Sequence, residues 1–237
     1  MSDPLFAGRL LSAFSGVVSM IGIFFLTYYI FKSKLSALIV SLLWALSPLT
    51  LFFDRMALVD SLLTCLGIWT LLLSLILASS LRLDMAMILG FVLGLASLTK
   101  SPALFFAVLI PAAIILLKKP KDVFKYAGLI LVAYLIAFGM YNIQRLGPNF
   151  GQLTVRTKDY VFPLSRILVY PTDPIRYNLP TTASWLYAMG PIGLVLLALI
   201  GTALNFKKYR KYVLILGVWF LAPLLFESEF TKSFTQA

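Results

Sequence analysis

Four places in this chain hold charged side chains that could do chemistry: Arg9, the run from Asp54 to Asp60, Lys100 and the long polar stretch 144–184. The run Asp54-Arg55-Met56-Ala57-Leu58-Val59-Asp60 sets two carboxylates around an arginine, directly ahead of an apolar stretch. Lys100 stands in Leu98-Thr99-Lys100-Ser101-Pro102, between two short apolar stretches, and Arg9 precedes the first long one. A carboxylate can take a proton in general-base chemistry, and a cation at a membrane surface suits the phosphate of a lipid headgroup. Each group also has a plainer reading. Asp60 opening a helix gains about 0.3–1 kcal/mol from the macrodipole, and Asp54 with Arg55 as a solvated ion pair is worth about 0–1 kcal/mol. Lys100 and Arg9 can snorkel from helix ends to water. On the residues alone both sets of readings stay open.

The chemistry that is missing narrows the field. There is no histidine and a single cysteine, Cys65. Histidine catalysis, histidine metal ligands, CxxC redox chemistry and an internal disulfide are therefore excluded. No Gly-rich phosphate loop is present, so a phosphate bound here belongs to a lipid rather than a nucleotide sugar. The residues call for no cofactor, and a divalent metal is compatible with the acidic positions.

Composition dictates the elements that must position these groups. Hydrophobic residues make up 61% and charged residues 12% of 237, where a soluble domain has about 45–50% and about 25%. So few charges cannot cover so much apolar surface in water, whereas lipid can. The net charge of +11 does not signal nucleic acid, whose binders gather basic residues into a patch or stripe. Here they fall in short groups between apolar runs.

Eight apolar segments are expected to be helices, at 10–31, 35–53, 58–79, 85–98, 103–117, 126–143, 185–204 and 212–226. A span needs about 20 residues, so the fourth and fifth are short. Fused into one helix they would put Lys100 near the bilayer centre, at about 2.5–3.5 kcal/mol. Two helices meeting at a surface, with Pro102 starting the second, avoid that cost. Gly90 and Gly94 form a GxxxG spacing suited to close helix packing.

Alternate threading puts Lys32, Lys34, Arg82, Lys118, Lys119, Lys121, Lys125, Lys207, Lys208, Arg210 and Lys211 on one side with only Asp84 and Asp122, a net +9. The other side holds nine basic and seven acidic residues, a net +2. Lysine-rich short loops stay cytoplasmic, so Arg9, Asp54, Arg55, Asp60 and Lys100 are expected to face outward, to the periplasm or its equivalent. The expected architecture is one all-α integral membrane domain over 1–237, with residues 144–184 as a long outer loop.

Three runs occur here in an order and spacing that resemble a known family: Gly8-Arg9-Leu10-Leu11-Ser12-Ala13-Phe14-Ser15-Gly16, then Asp54 to Thr64, then Gly94 to Ala103. The chain resembles the membrane glycosyltransferases that include the dolichyl-phosphate-mannose–protein mannosyltransferases and the aminoarabinose transferases of lipid A. The likeness covers roughly residues 5–120. It implies a type C glycosyltransferase fold in the cell membrane, taking sugar from a polyprenyl-phosphate donor at the outer face. It further implies that Arg9 and Lys100, with Arg55 nearby, serve the donor phosphate. Asp60, with Asp54, would be an acidic residue near the acceptor or in the site's structure. A protein or envelope glycolipid hydroxyl would be the acceptor. Family members carry a further helix and an acidic outer loop ahead of the matched region, and more helices after it. The chain is thus expected to be truncated at both ends and to lack the main catalytic carboxylate. Two other classes compete: a transporter or flippase of lipid-linked sugars, which would place ionisable residues at mid-membrane, and a non-catalytic assembly subunit, which needs no site.

Overall fold

A computed structural model of the chain describes residues 3–148, 150–152, 161–170, 172–190, 192–230 and 232, which form two compact units dividing after Asn142. The first unit contains α1 (Pro4–Phe31), α2 (Lys34–Ala45), α3 (Pro48–Asp54), α4 (Asp60–Ser80), α5 (Leu83–Thr99), α6 (Ala103–Leu109), a 3₁₀ segment (Ile110–Leu116) and α7 (Asp122–Asn142).

Helix α1 shows what solvent this fold expects. Its buried side is Ser12, Ser15, Gly16, Ser19 and Gly22, while Leu10, Phe14, Val17 and Phe25 point outward. That arrangement is inside-out for water, and it suits lipid, where small residues let helices approach and apolar bulk faces the acyl chains. Two of the three serine hydroxyls are satisfied within the helix, Ser15 donating to the Leu11 carbonyl and Ser19 to that of Ser15, each at 2.8 Å. Asp3 caps the N-terminus by accepting from the Leu5 N–H at 2.9 Å, with Pro4 at the first helical position.

Close contacts fix the directions of the helices. Gly8 meets Ala57, Gly22 meets Ile68 and Trp69, and the Tyr29 hydroxyl donates to Ser79 Oγ at 2.7 Å. Helix α1 therefore runs parallel to α4. Gly90 lies against Ala133 and Ile136, and Gly94 against Met140, so α5 runs parallel to α7. The expected GxxxG seam is thus used, with α7 as its partner. The two glycines differ in what they face. An alanine methyl at Gly90 would sit 2.8 Å from the Ala133 carbonyl oxygen, a rigid backbone atom, whereas at Gly94 it would press on the flexible Met140 thioether. Gly90→Ala should therefore destabilise the bundle by about 1–3 kcal/mol and Gly94→Ala by less. Thermal unfolding in detergent reads the difference, and equal melting temperatures would contradict it.

The chain breaks where the fourth and fifth segments were expected to meet. Helix α5 ends at Thr99, Lys100 is extended (φ −161, ψ 147) and α6 follows Pro102. At ~1.5 Å per residue α5 is about 26 Å long, a little under the ~30 Å hydrocarbon core. A small core forms where Leu66 of α4, Ala96 of α5 and Ala103 of α6 meet, with Phe106 packed against it.

Other expectations need correcting. Segment 35–53 is not one straight span: α2 and α3 are bent by 59°. Pro48 removes an N–H and its ring collides with the carbonyl four residues back, so the helix stops and restarts. The stretch 144–184 is not simply a loop. Its residues 149, 153–160 and 171 lie outside the described residues, but the second unit places α8 (Leu164–Val169) and most of α9 (Asp173–Met189) there. Asp173 in the first turn and Pro174 beside it are helix-starting residues. Segment 185–204 is divided, its first five residues ending α9 and residues 192–204 beginning α10 (Ile192–Phe230). At 39 residues α10 would run ~58 Å, twice a bilayer core. Its helical geometry fails at Tyr209 (φ −114, ψ 19), inside Lys207-Lys208-Tyr209-Arg210-Lys211, where the turn between the last two segments was expected.

Four helices among the described residues are long and apolar enough to span, and the bent pair makes a fifth. Helix α5 and the α6–3₁₀ run are the shorter apolar helices. The protein is an all-α, multi-pass membrane protein.

Candidate functional site

Helices α4 and α5 are joined by a short turn and run antiparallel, so the start of one lies beside the end of the other. This brings Asp60 to Lys100. The Lys100 ammonium donates to Asp60 Oδ1 at 2.7 Å, and both side chains are about a third to a half exposed, at 34% and 45%. Such a pair in water is worth at most about 1 kcal/mol, so it does little to hold the fold. It does hold the ammonium in place. Lys100 has three N–H donors and spends one on Asp60, which leaves two for an anion.

The connection from Asp54 to Asp60 is seated on one side of α1. Gly8 accommodates Ala57, the Ser12 hydroxyl donates to the Leu58 carbonyl at 2.9 Å, and Gly16 lies under the Asp54 carboxylate. Residues 8, 12 and 16 share one helix face, and any side chain at Gly16 would collide with Asp54. The sequence alone does not reveal that this run seats the connection. Its signal there is only three small residues spaced by four. Ser12→Ala leaves the Leu58 carbonyl without its donor and should cost about 1 kcal/mol, read as a lower unfolding temperature. No change would mean that the seat is made by the glycines alone.

The five predicted site residues are not all in contact. Asp60 and Lys100 are paired, and Asp54 is half-buried against α1. Arg9 is exposed on the same turn as Gly8, which places it at the same end of the bundle. Among the described residues neither Arg9 nor Arg55 pairs with a carboxylate, so Asp54 and Arg55 do not form the ion pair considered above. Beside Asp60, the Ser61 hydroxyl is buried without a hydrogen-bond partner. The parallel and antiparallel directions put Lys32, Lys34, Arg82 and the 118–125 lysines at the opposite end of this unit.

The second unit has polar clusters of its own. Arg166 pairs with Asp173 at 3.0 Å and stacks on Phe162, its guanidinium 3.9 Å from the ring centre. Asn178 donates to the Ser228 carbonyl at 3.0 Å. These were hidden in the stretch taken for a loop. Among the described residues no three Asp, Glu or Cys side chains come together.

These features define a class: a helical membrane protein with a cation–carboxylate site at one end of its bundle and lysine-rich turns at the other. The family model described as dolichyl-phosphate-mannose-protein mannosyltransferase matches residues 1–141, and the chain belongs to that family. No curated protein and no solved structure matches it. The match spans α1 to α7 and includes every site residue discussed for the first unit. Membership identifies the protein as a membrane glycosyltransferase in type.

Proposed function

We propose that the protein moves a sugar from a polyprenyl-phosphate-linked donor to a hydroxyl of a protein or envelope glycolipid, at the outer face of the cell membrane. The observation that carries this reading is the Asp60–Lys100 pair at the end of the bundle opposite the lysine-rich turns, in a chain of this family. Lys100, with Arg9 and Arg55 from the same end, receives the donor phosphate. Asp60 and Asp54 are the acidic residues of the site.

The reaction follows from the donor's bonding. A carboxylate takes the proton of the acceptor hydroxyl while its oxygen forms a bond to the anomeric carbon. The bond from that carbon to the phosphate oxygen breaks, with inversion, and the electron pair leaves on the lipid phosphate. A phosphodiester with one negative charge becomes a monoester with two. Fixed cations aimed at that growing charge lower the barrier.

Purified full-length protein, supplied with a synthetic polyprenyl-phosphate sugar and either an acceptor peptide or a lipid A-type glycolipid, should release polyprenyl phosphate and glycosylate one of them. Adding EDTA in the same assay decides whether a divalent metal takes part. Uptake of the lipid-linked sugar into vesicles with no transfer would show a transporter instead. Cysteine labelling should place residues 54–60 and 100 in the compartment opposite residues 118–125. Labelling of both groups from one side would end this reading.

A further inference from the structure

A groove of about 310 Å³ opens on the outside of the first unit, between the 3₁₀ segment and α7. It arises from one residue. Pro111 has no N–H, so the Ala107 carbonyl loses its α-helical donor and the helix tightens into 3₁₀ geometry. In that geometry residues three apart eclipse one another, which aligns Pro111 and Ile114 as one wall. Val123, Ala127, Ile130 and Leu131 give α7 a matching apolar stripe. The floor is closed by two tyrosines whose hydroxyls tie the walls together. Tyr134 donates at 2.6 Å to the Ala107 carbonyl, which also accepts from the Ile110 N–H, and Tyr126 donates to the Ile110 carbonyl at 3.0 Å. With both hydroxyls used inside the fold, the groove offers an occupant only apolar surface.

One end of this groove is strongly cationic. The chain that links its two walls is Leu117-Lys118-Lys119-Pro120-Lys121-Asp122, and Lys125 follows in the first turn of α7. Backbone hydrogen bonds from Asp122 N to the Lys119 carbonyl (3.0 Å) and from Val123 N to that of Pro120 (3.2 Å) draw the link into a tight turn. Lys118, Lys119, Lys121 and Lys125 are all exposed. An apolar channel ending in four ammonium groups and one carboxylate has the profile of a molecule with a hydrocarbon tail and an anionic head.

We propose that this groove binds an anionic phospholipid, with an acyl chain between the 3₁₀ segment and α7 and its phosphate on the lysines of the turn. The site lies at the end of the unit away from Asp60 and Lys100, so its occupant is a resident lipid rather than the sugar donor. Basic clusters next to helices attract acidic lipids through their charge alone, and what the groove adds is a place for the chain.

Native mass spectrometry of the full-length protein in detergent, titrated with phosphatidylglycerol or phosphatidylcholine, tests this. Phosphatidylglycerol should bind about tenfold more tightly, as a cluster of cations near a surface allows. Replacing the four lysines with glutamine should remove that preference. Ala127→Trp fills the groove with the lysines intact and should weaken phosphatidylglycerol binding by about fivefold, as should Ile114→Trp on the other wall, since each excludes chain contacts. Leu135→Trp, on α7 outside the groove, should leave binding unchanged and shows that a tryptophan on this helix is tolerated. Equal affinity for the two lipids, full affinity in both groove-filling variants, or displacement of the lipid by glycerol phosphate without chains would each overturn the proposal.

Discussion

Transfer by full-length protein carrying Lys100→Ala is expected to fall about 100- to 1000-fold, the usual loss when one fixed donor to a developing oxyanion is removed. In the proposed reaction the charge on the donor phosphate grows from one to two as the sugar leaves, so the missing ammonium is felt most in the transition state. The loss should therefore appear mainly in kcat and only weakly in KM for the donor. Lys100→Arg keeps the charge but replaces a compact ammonium with a planar fork, and should restore part of the rate. The fold gives no reason for collapse, because Lys100 lies in the extended link between α5 and α6, half-exposed and outside both helices. Unaltered transfer by a correctly folded Lys100→Ala protein would remove Lys100 from the phosphate site.

The placement of this lysine was legible in the sequence because the physics there is one-dimensional. A charge in the middle of an over-long apolar run, next to Ser101-Pro102, has few cheap solutions, and a helix break is the cheapest. Which connections share an end of the first unit was legible for the same reason. It needed only the alternation of the segments, and the parallel pairing of α1 with α4 and of α5 with α7 agrees with it. The bend at Pro48 was missed because an apolar run reads the same whether it is straight or broken. Helix α9 was missed because Pro180 and the two threonines after it look like loop, yet the Thr181 and Thr182 hydroxyls bond to carbonyls of the helix itself, at 2.9 Å each. The seat made by Gly8, Ser12 and Gly16 depends on which face of α1 meets the 54–60 connection. Only the packed structure supplies that.

The role of Asp60 is the point on which sequence reading left two answers, service to the acceptor or support of the site, and a double-mutant cycle separates them. Its carboxylate accepts from Lys100 at 2.7 Å, and in the proposed reaction its first task is to fix the ammonium where the phosphate would sit. Asp60→Asn retains an oxygen that can accept from Lys100 but loses the charge that holds it, and transfer should drop about tenfold through a misplaced cation. In the Lys100→Ala background the Asp60 carboxylate has nothing left to position, so removing it as well changes little. The double variant should then be no worse than Lys100→Ala alone within about twofold, because residues acting through one interaction are not additive. A group that removed the acceptor's proton would behave differently, since its loss would multiply with that of the phosphate ligand. A double variant some tenfold slower than Lys100→Ala would assign Asp60 to the acceptor, and the ion pair seen between α4 and α5 would then be a neighbourly contact without a part in placing the lysine.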